Sequence, residues 1–332
     1  MLAGVASAAV GQPVPSRPIT AAVGDAPALE LTQVVRLGSL DGEHDAFGRV
    51  MDATLDRAGR ILVADDLSHQ VVVFGRDGRY VGTLGRRGRG PGEFESPWRV
   101  AADANDSIFV WDMAQARISV FGRGLRFARS FAVPPHWAIG SLRFLPDGRL
   151  LVAAYGRGER GTLHVLRRTG ERERTFGPGF NAPDVAGFEG SLLGGTVAVT
   201  GTGIVYSVRS PYELWFFGLD GRPRNRCAGE PAWTTSPGQV VERRGGSTAL
   251  RWNRYVHAYN VVSLAPDTYL NLLTDPATGR TTMDVITSRC RLLRRTVSDG
   301  PLTVMHASGS RMVAVRTVDY PEVLVYEHRL RR

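Results

Sequence analysis

Residues 61–74 read Ile61-Leu62-Val63-Ala64-Asp65-Asp66-Leu67-Ser68-His69-Gln70-Val71-Val72-Val73-Phe74. Two short apolar runs rich in β-branched residues flank a polar turn, the pattern of two antiparallel strands. Upstream stands Val50-Met51-Asp52-Ala53-Thr54-Leu55 with a turn at Asp56-Arg57-Ala58-Gly59-Arg60. Downstream, the turn Arg76-Asp77-Gly78-Arg79 leads to Tyr80-Val81-Gly82-Thr83-Leu84-Gly85. Four short strands joined by Asp/Gly turns make a four-stranded antiparallel meander.

The unit then repeats. Asp103 stands 47 positions after Asp56, and Pro97–Asp112, Arg117–Phe121 and Phe127–Phe131 reproduce the same four runs. Looser copies follow at Pro146–Ala153 with Leu163–Leu166, and at Thr200–Ser207 with Glu213–Phe217. Two more follow at Pro266–Leu272 with Met283–Ile286, and at Ser308–Val315 with Val323–Tyr326. A lone sheet of this kind is amphipathic on both faces, and radial packing of several buries both. Six units across residues 47–330 predict an all-β, six-bladed β-propeller of four-stranded antiparallel blades. The last unit has only about six residues after Tyr326 for its outer strand, whereas Leu31–Gly38 matches that strand's pattern. The N-terminal strand is therefore expected to close the ring in the last blade. Helical periodicity is expected at most around Gln239–Arg244.

Residues 61–74 resemble the core of an NHL repeat, as does the joint Gly85-Arg86-Arg87-Gly88-Arg89-Gly90-Pro91-Gly92-Glu93-Phe94 with Ser96-Pro97 and Val100-Ala101 after it. The resemblance is specific over about 80 residues, in the first two units, and thins elsewhere to turn positions and strand pattern. The whole chain is similar to bacterial six-bladed NHL-like or TolB-like propellers, many of them exported. That superfamily contains gluconolactonase-like hydrolases, strictosidine-synthase-like and amidating lyases, and non-enzymatic binding modules, some of which bind RNA. The resemblance implies a fold more than a function. Its lactonase-like members hold a divalent metal in the channel with acidic and Asn ligands, and a full set of these cannot be matched here.

Composition narrows the classes further. With 332 residues, 43% hydrophobic and 22% charged, the chain is too apolar to be disordered. Its net charge of +9 is carried by arginine alone, with no lysine in 41 basic residues. Such exclusivity fits a bias towards GC-rich codons, so the charge does not by itself indicate a nucleic-acid partner. No stretch reaches the roughly 18 apolar residues of a membrane span. Met1–Val10 is small and apolar, and Ala6-Ser7-Ala8 resembles a signal-peptidase site. Residues 1–28 are expected to be a signal remnant or a disordered terminus, and 29–332 one propeller domain. The protein is then periplasmic or extracellular, and a monomer.

Local motifs yield little chemistry. The glycine run 85–92 is followed by a strand rather than a helix, which makes it a blade connection, not a phosphate loop. Asp65 and Asp112 end equivalent strands and are expected to accept loop N–H bonds. The seven histidines show no metal spacing, His164 and His306 falling within strands, and no GxSxG elbow occurs. Cys227 late in an outer strand and Cys290 in a turn one blade on should lie towards opposite faces, so no disulfide is expected.

The face carrying the innermost-strand starts and the second-to-third-strand loops gathers the candidate ligand-binding residues. Asp52, Trp98, Arg99, Tyr259 and Asn260 fall near the strand entrances; His69, Arg117, Tyr155, Arg209, Tyr212 and Tyr320 fall in or beside the loops. Two connections exceed the repeat, Gly177–Gly195 and Gly229–Trp252, the latter bearing Trp233, Arg243, Arg244, Arg251 and Trp252. An aromatic and arginine-rich rim suits a planar or anionic ligand or a peptide. The leading expectation is a non-enzymatic scaffold binding a protein, peptide or glycan, with no catalytic residue, cofactor or metal. The alternative is a channel-centred metal-dependent hydrolase or lyase of the lactonase-like type. Arg60, Arg79, Arg149, Arg222 and Arg311 occupy repeat turns and are expected on the opposite face.

Overall fold

The computed structural model describes residues 14–21, 28–156, 158–179, 194–208, 211–231, 239–242, 248–251, 257–275, 277–298 and 300–331. Six four-stranded antiparallel blades stand in a ring, and among the described residues there is no helix. The innermost strands are Val50–Leu55, Pro97–Ala102, Ala138–Phe144, Gly195–Val199, His257–Ala265 and Thr303–Ser308, for blades one to six. The outermost are Tyr80–Leu84, Phe127–Ala132, Arg172–Phe176, Pro223–Ala228, Arg291–Val297 and, from the N-terminal side, Ala28–Leu37. That last strand pairs antiparallel with Pro321–Arg331 and closes blade six as the sequence predicts.

Strand alternation decides the packing, because successive side chains point to opposite sheet faces. Ile61 and Val63 pack towards blade six, whereas Leu62 and Ala64 pack towards blade two. Each of the six seams between adjacent blades holds its own apolar cluster. The core is thus a ring of wedges, and the centre is left to other side chains.

On the face of the first-to-second-strand turns, arginines stitch neighbours together. Arg311 donates to Arg76 O (3.0 Å) between blades six and one, and Arg60 to Arg123 O (3.4 Å) between one and two. Arg168 of blade three pairs with the Asp103 carboxylate of blade two. These turn arginines serve the ring itself.

Two expectations are corrected. Gln239–Glu242 is a strand, paired with Thr248–Arg251 in a hairpin between blades four and five, and not helical. Four residues there follow an extended pairing that periodicity over so short a run does not separate from a helix. Cys227 and Cys290 form a disulfide, with Cα atoms 5.3 Å apart. Strand twist is the reason: each strand turns about 20–25° from the last, so the outermost strand runs steeply across the blade edge. The late half of Pro223–Ala228 therefore sweeps towards the next blade's outer turn, where Cys290 sits. Alongside it, Arg17–Pro18 adds in parallel to blade four's outer strand and Thr20–Ala21 to blade five's. Ile19 N donates to Ala228 O (2.7 Å) and Thr20 N to Cys290 O (3.0 Å), so one segment crosses the seam that the disulfide bridges.

Candidate functional site

The channel owes its chemistry to a repeated backbone irregularity. In blades one, two, three, five and six the register of the innermost strand skips one residue, at Met51, Trp98, Gly140, Tyr259 and Met305. Such bulges leave a residue outside the ladder. Their carbonyls need donors, since buried polar groups are costly unless paired. Arg99 donates to Gly140 O (2.7 Å), Trp98 O (2.8 Å) and Met51 O (3.1 Å). Arg143 donates to Met305 O and Leu142 O, both at 2.7 Å. Asn260 donates to Val304 O (2.8 Å) and Met305 O (2.7 Å). The guanidiniums and amide thus hold four bulge carbonyls and tie five blades around the axis.

Asp52 lies in the same layer, buried, accepting from Val100 N at 3.1 Å. Burial raises its pKa above the ordinary carboxyl value, and the charges of Arg99 and Arg143 partly oppose that rise. Burial likewise lowers Arg143, with Asp52 opposing. Further along the axis a cavity of about 150 Å³ is lined by residues of all six innermost strands, among them Thr54, Arg143, Ser263 and His306. His306 Nδ1 accepts from Leu55 N (3.2 Å), which places the ring proton of the neutral form on Nε2. Burial, and secondarily Arg143, pushes His306 down to about 3, so it is neutral at physiological pH. The sequence alone does not single out Arg143, and it places His306 within a strand, packed or exposed on its blade rather than as a ligand. The available signal was the inward register that Arg143 shares with Thr54 and Ala101.

The loop face uses most of its predicted residues to build itself. Arg117 clamps the 85–92 glycine run, donating to Gly90 O (2.7 Å), Glu93 O (2.8 Å) and Arg89 O (3.1 Å). His69, in the left-handed backbone region (φ 54°), bonds Glu95 O through Nδ1 at 2.8 Å. Asp65 accepts from Gly48 N (2.9 Å) and Arg49 N (2.8 Å), and Asp112 from Glu95 N (2.7 Å), Ser96 N (3.2 Å) and Gln115 N (3.0 Å). Trp98 packs edge-to-face on Trp111 with Arg99 over its ring. Tyr212 does not face solvent: it is buried between blades four and five and donates to Asp284 Oδ2 at 2.7 Å. Tyr155 ends a blade-three strand at the rim, and Tyr320 sits half-buried in the blade-six loop beside Arg36. Tyr259 is placed at its bulge by backbone alone. Arg209, Arg243, Arg244 and Trp252 lie outside the described residues, as does Trp233.

Asp52, Arg99 and Asn260 are therefore brought together at the channel, while His69 and Arg117 meet at the blade one–two connection. Among the described residues no three His, Cys, Asp or Glu side chains converge as a metal set. Among the exposed side chains of the loop face are large apolar ones. Leu40, Leu67, Met113 and Val318 are 72%, 58%, 42% and 68% exposed, in loops of blades six, one and two. No large apolar side chain is comparably exposed in the described turns of the opposite face.

Residues 49–136 match the sequence profile of a family described as a 6-bladed β-propeller. No curated protein sequence matches the chain. Among solved structures, a member of the duf4221 family from Bacteroides vulgatus aligns with TM-score 0.62 and 10% identity, over 92% of this chain and 99% of that one. A candidate exported protein of Bacteroides fragilis aligns with TM-score 0.58 and 13% identity, over 94% and 98%. Virginiamycin B lyase from Staphylococcus aureus aligns with TM-score 0.52 and 7% identity, over 90% and 99%. At these identities the likeness is one of fold.

Proposed function

We propose that this protein is an exported binding propeller of the NHL-like type that recognises a protein or peptide through the loop face of blades six, one and two. The observation that carries the reading is the group of exposed Leu40, Leu67, Met113 and Val318 side chains on adjoining blades. The four belong to loops on one face of three adjoining blades, and exposed apolar side chains on such a face favour a protein or peptide partner. The channel residues support it from the other side. Arg99, Arg143 and Asn260 are engaged with backbone carbonyls, which leaves their hydrogen-bonding capacity committed to the ring. Export is supported by the Cys227–Cys290 disulfide, since such bonds persist in oxidising compartments.

Selection of a random peptide library on the immobilised full chain tests this reading. Enriched peptides should carry an apolar anchor and bind at least about tenfold more weakly to Leu67→Asp and Met113→Asp variants. Binders indifferent to both substitutions would overturn it. The competing reading is a channel-centred lyase or hydrolase, favoured by the cavity that neutral His306 and Arg143 line. It requires turnover that disappears in His306→Ala.

A further inference from the structure

The seam between blades four and five differs from the two seams before it. On the outer strands, Arg129 of blade two and Arg174 of blade three occupy equivalent registers, opposite Val120 and Val165 and beside a bulge in each case. Each reaches the outer turn of the next blade: Arg129 donates to Arg168 O, and Arg174 to Asp220 O and Leu219 O. The equivalent residue of blade four, opposite Phe216, is Asn225. It makes the same kind of contact with a shorter arm, donating to Ser288 O at 2.6 Å in blade five's outer turn. Where Arg129 and Arg174 place a guanidinium in their seams, Asn225 lines a cavity of about 370 Å³.

The cavity is ringed by cations from three separate segments. Arg224 comes from blade four's outer strand, Arg289 from blade five's outer turn, and Arg17 from the N-terminal segment strapped across both blades. Arg224 holds Thr202 O (3.1 Å), and among the described residues none of the three arginines has a carboxylate partner. One carboxylate, Asp267, also lines the cavity, and it already accepts from Ser288 N at 3.1 Å. Phe216, Phe217 and Tyr269 contribute apolar wall. Volume, an excess of guanidinium and aromatic lining match the make-up of small-molecule sites, and arginine is the side chain best suited to oxyanions. The disulfide and the N-terminal strap hold the two walls at fixed separation.

We propose that this seam is a binding pocket for a small organic oxyanion, a carboxylate or a phosphate on a compact body, held by Arg17, Arg224 and Arg289. The site is independent of the loop face and of any partner bound there.

Calorimetric titration of the full chain with benzoate, phenyl phosphate and inorganic phosphate tests the proposal. One-to-one binding of an organic anion is expected, with benzoate against phenyl phosphate separating a carboxylate site from a phosphate site. Arg289→Glu should weaken it by at least about tenfold, the loss of one charge-assisted contact. Arg222→Glu makes the same charge change on the same face, outside the cavity, and should leave affinity unaltered. Failure of all three probes to bind saturably, binding indifferent to Arg289→Glu, or equal weakening in both variants would each overturn the pocket.

Discussion

The hydroxyl of Tyr212 in blade four donates to Oδ2 of Asp284 in blade five at 2.7 Å, with Arg295 holding the same carboxylate from its other side at 2.7 and 2.6 Å. A buried carboxylate is tolerable only when its lone pairs are filled, and here a phenol and a guanidinium fill them together. Burial, with Asp284 adding to it, raises the Tyr212 pKa well above the ordinary phenol value, so the hydroxyl remains a donor throughout the physiological range. Tyr212→Phe keeps the ring's packing and removes only the donor. Arg295 still neutralises Asp284, so the loss should be about 1–2 kcal/mol by chemical denaturation. No measurable loss would mean that the bond contributes nothing net to the seam.

The Cys227–Cys290 bridge spans 63 residues of sequence, across the insertion between blades four and five. Closing a loop of that length in the unfolded chain is worth roughly 4 kcal/mol on the chain-entropy account. A Cys227→Ser/Cys290→Ser double variant should therefore unfold well below the parent, and reductant should lower the parent's Tm but not the variant's. Equal response of both proteins to reductant would contradict the bond's contribution.

The blades were legible because their signal is local and repeated: Val, Ile and Phe alternate within each run, and Asp/Gly turns fall at fixed offsets. Ring closure followed from counting strands. The disulfide was not legible, because it depends on twist accumulated across a whole blade rather than on which face a strand end is nearest. Tyr212 misled for a related reason: a loop position next to Glu213 reads as rim, yet the chain dips there and the ring fills the seam. Asp52, Arg99 and Asn260 were placed at the channel entrance, but their partners are bulge carbonyls, and bulges leave no mark in residue type. The exposed apolar loop residues were visible all along as Leu67, Met113 and Val318, but exposure is a property of the assembled face.

Acidification should destabilise the fold through two histidines held neutral. Burial lowers His306 to about 3 and His164, stacked on Trp137, to about 4. Unfolded histidine titrates at about 6.5, so below that pH the unfolded chain takes up protons that the folded protein refuses. Stability from these groups is complete above about pH 6.5 and is lost as pH falls towards 4 and then 3. Between pH 7 and pH 5 each should cost about 2 kcal/mol. His306→Asn keeps an acceptor near the Leu55 N–H without the titration. Its stability should fall less steeply from pH 7 to pH 5 than the parent's, and parallel pH profiles would exclude His306 as a source of the loss.

Arg143 and Asp52 offer the most direct test of what the channel charges do. Arg143 holds Met305 O and Leu142 O, and its charge eases the burial of Asp52. Arg143→Met fills similar length without a donor, so Leu142 O loses its guanidinium, Met305 O is left to Asn260, and Asp52 keeps Arg99 as its remaining cation. The expected cost is about 1–3 kcal/mol, the range for removing a buried hydrogen-bond donor from its acceptors. Asp52→Asn in the Arg143→Met background should then restore part of that stability, because a buried carboxyl that has lost one of its two neighbouring cations is removed while Val100 N keeps an acceptor. The two substitutions together should cost less than the sum of their separate effects by about 1–2 kcal/mol, within the coupling found for residues in one network. Strict additivity in that cycle would show that the two groups do not sense each other, and the channel charges would then need a role other than bracing the ring.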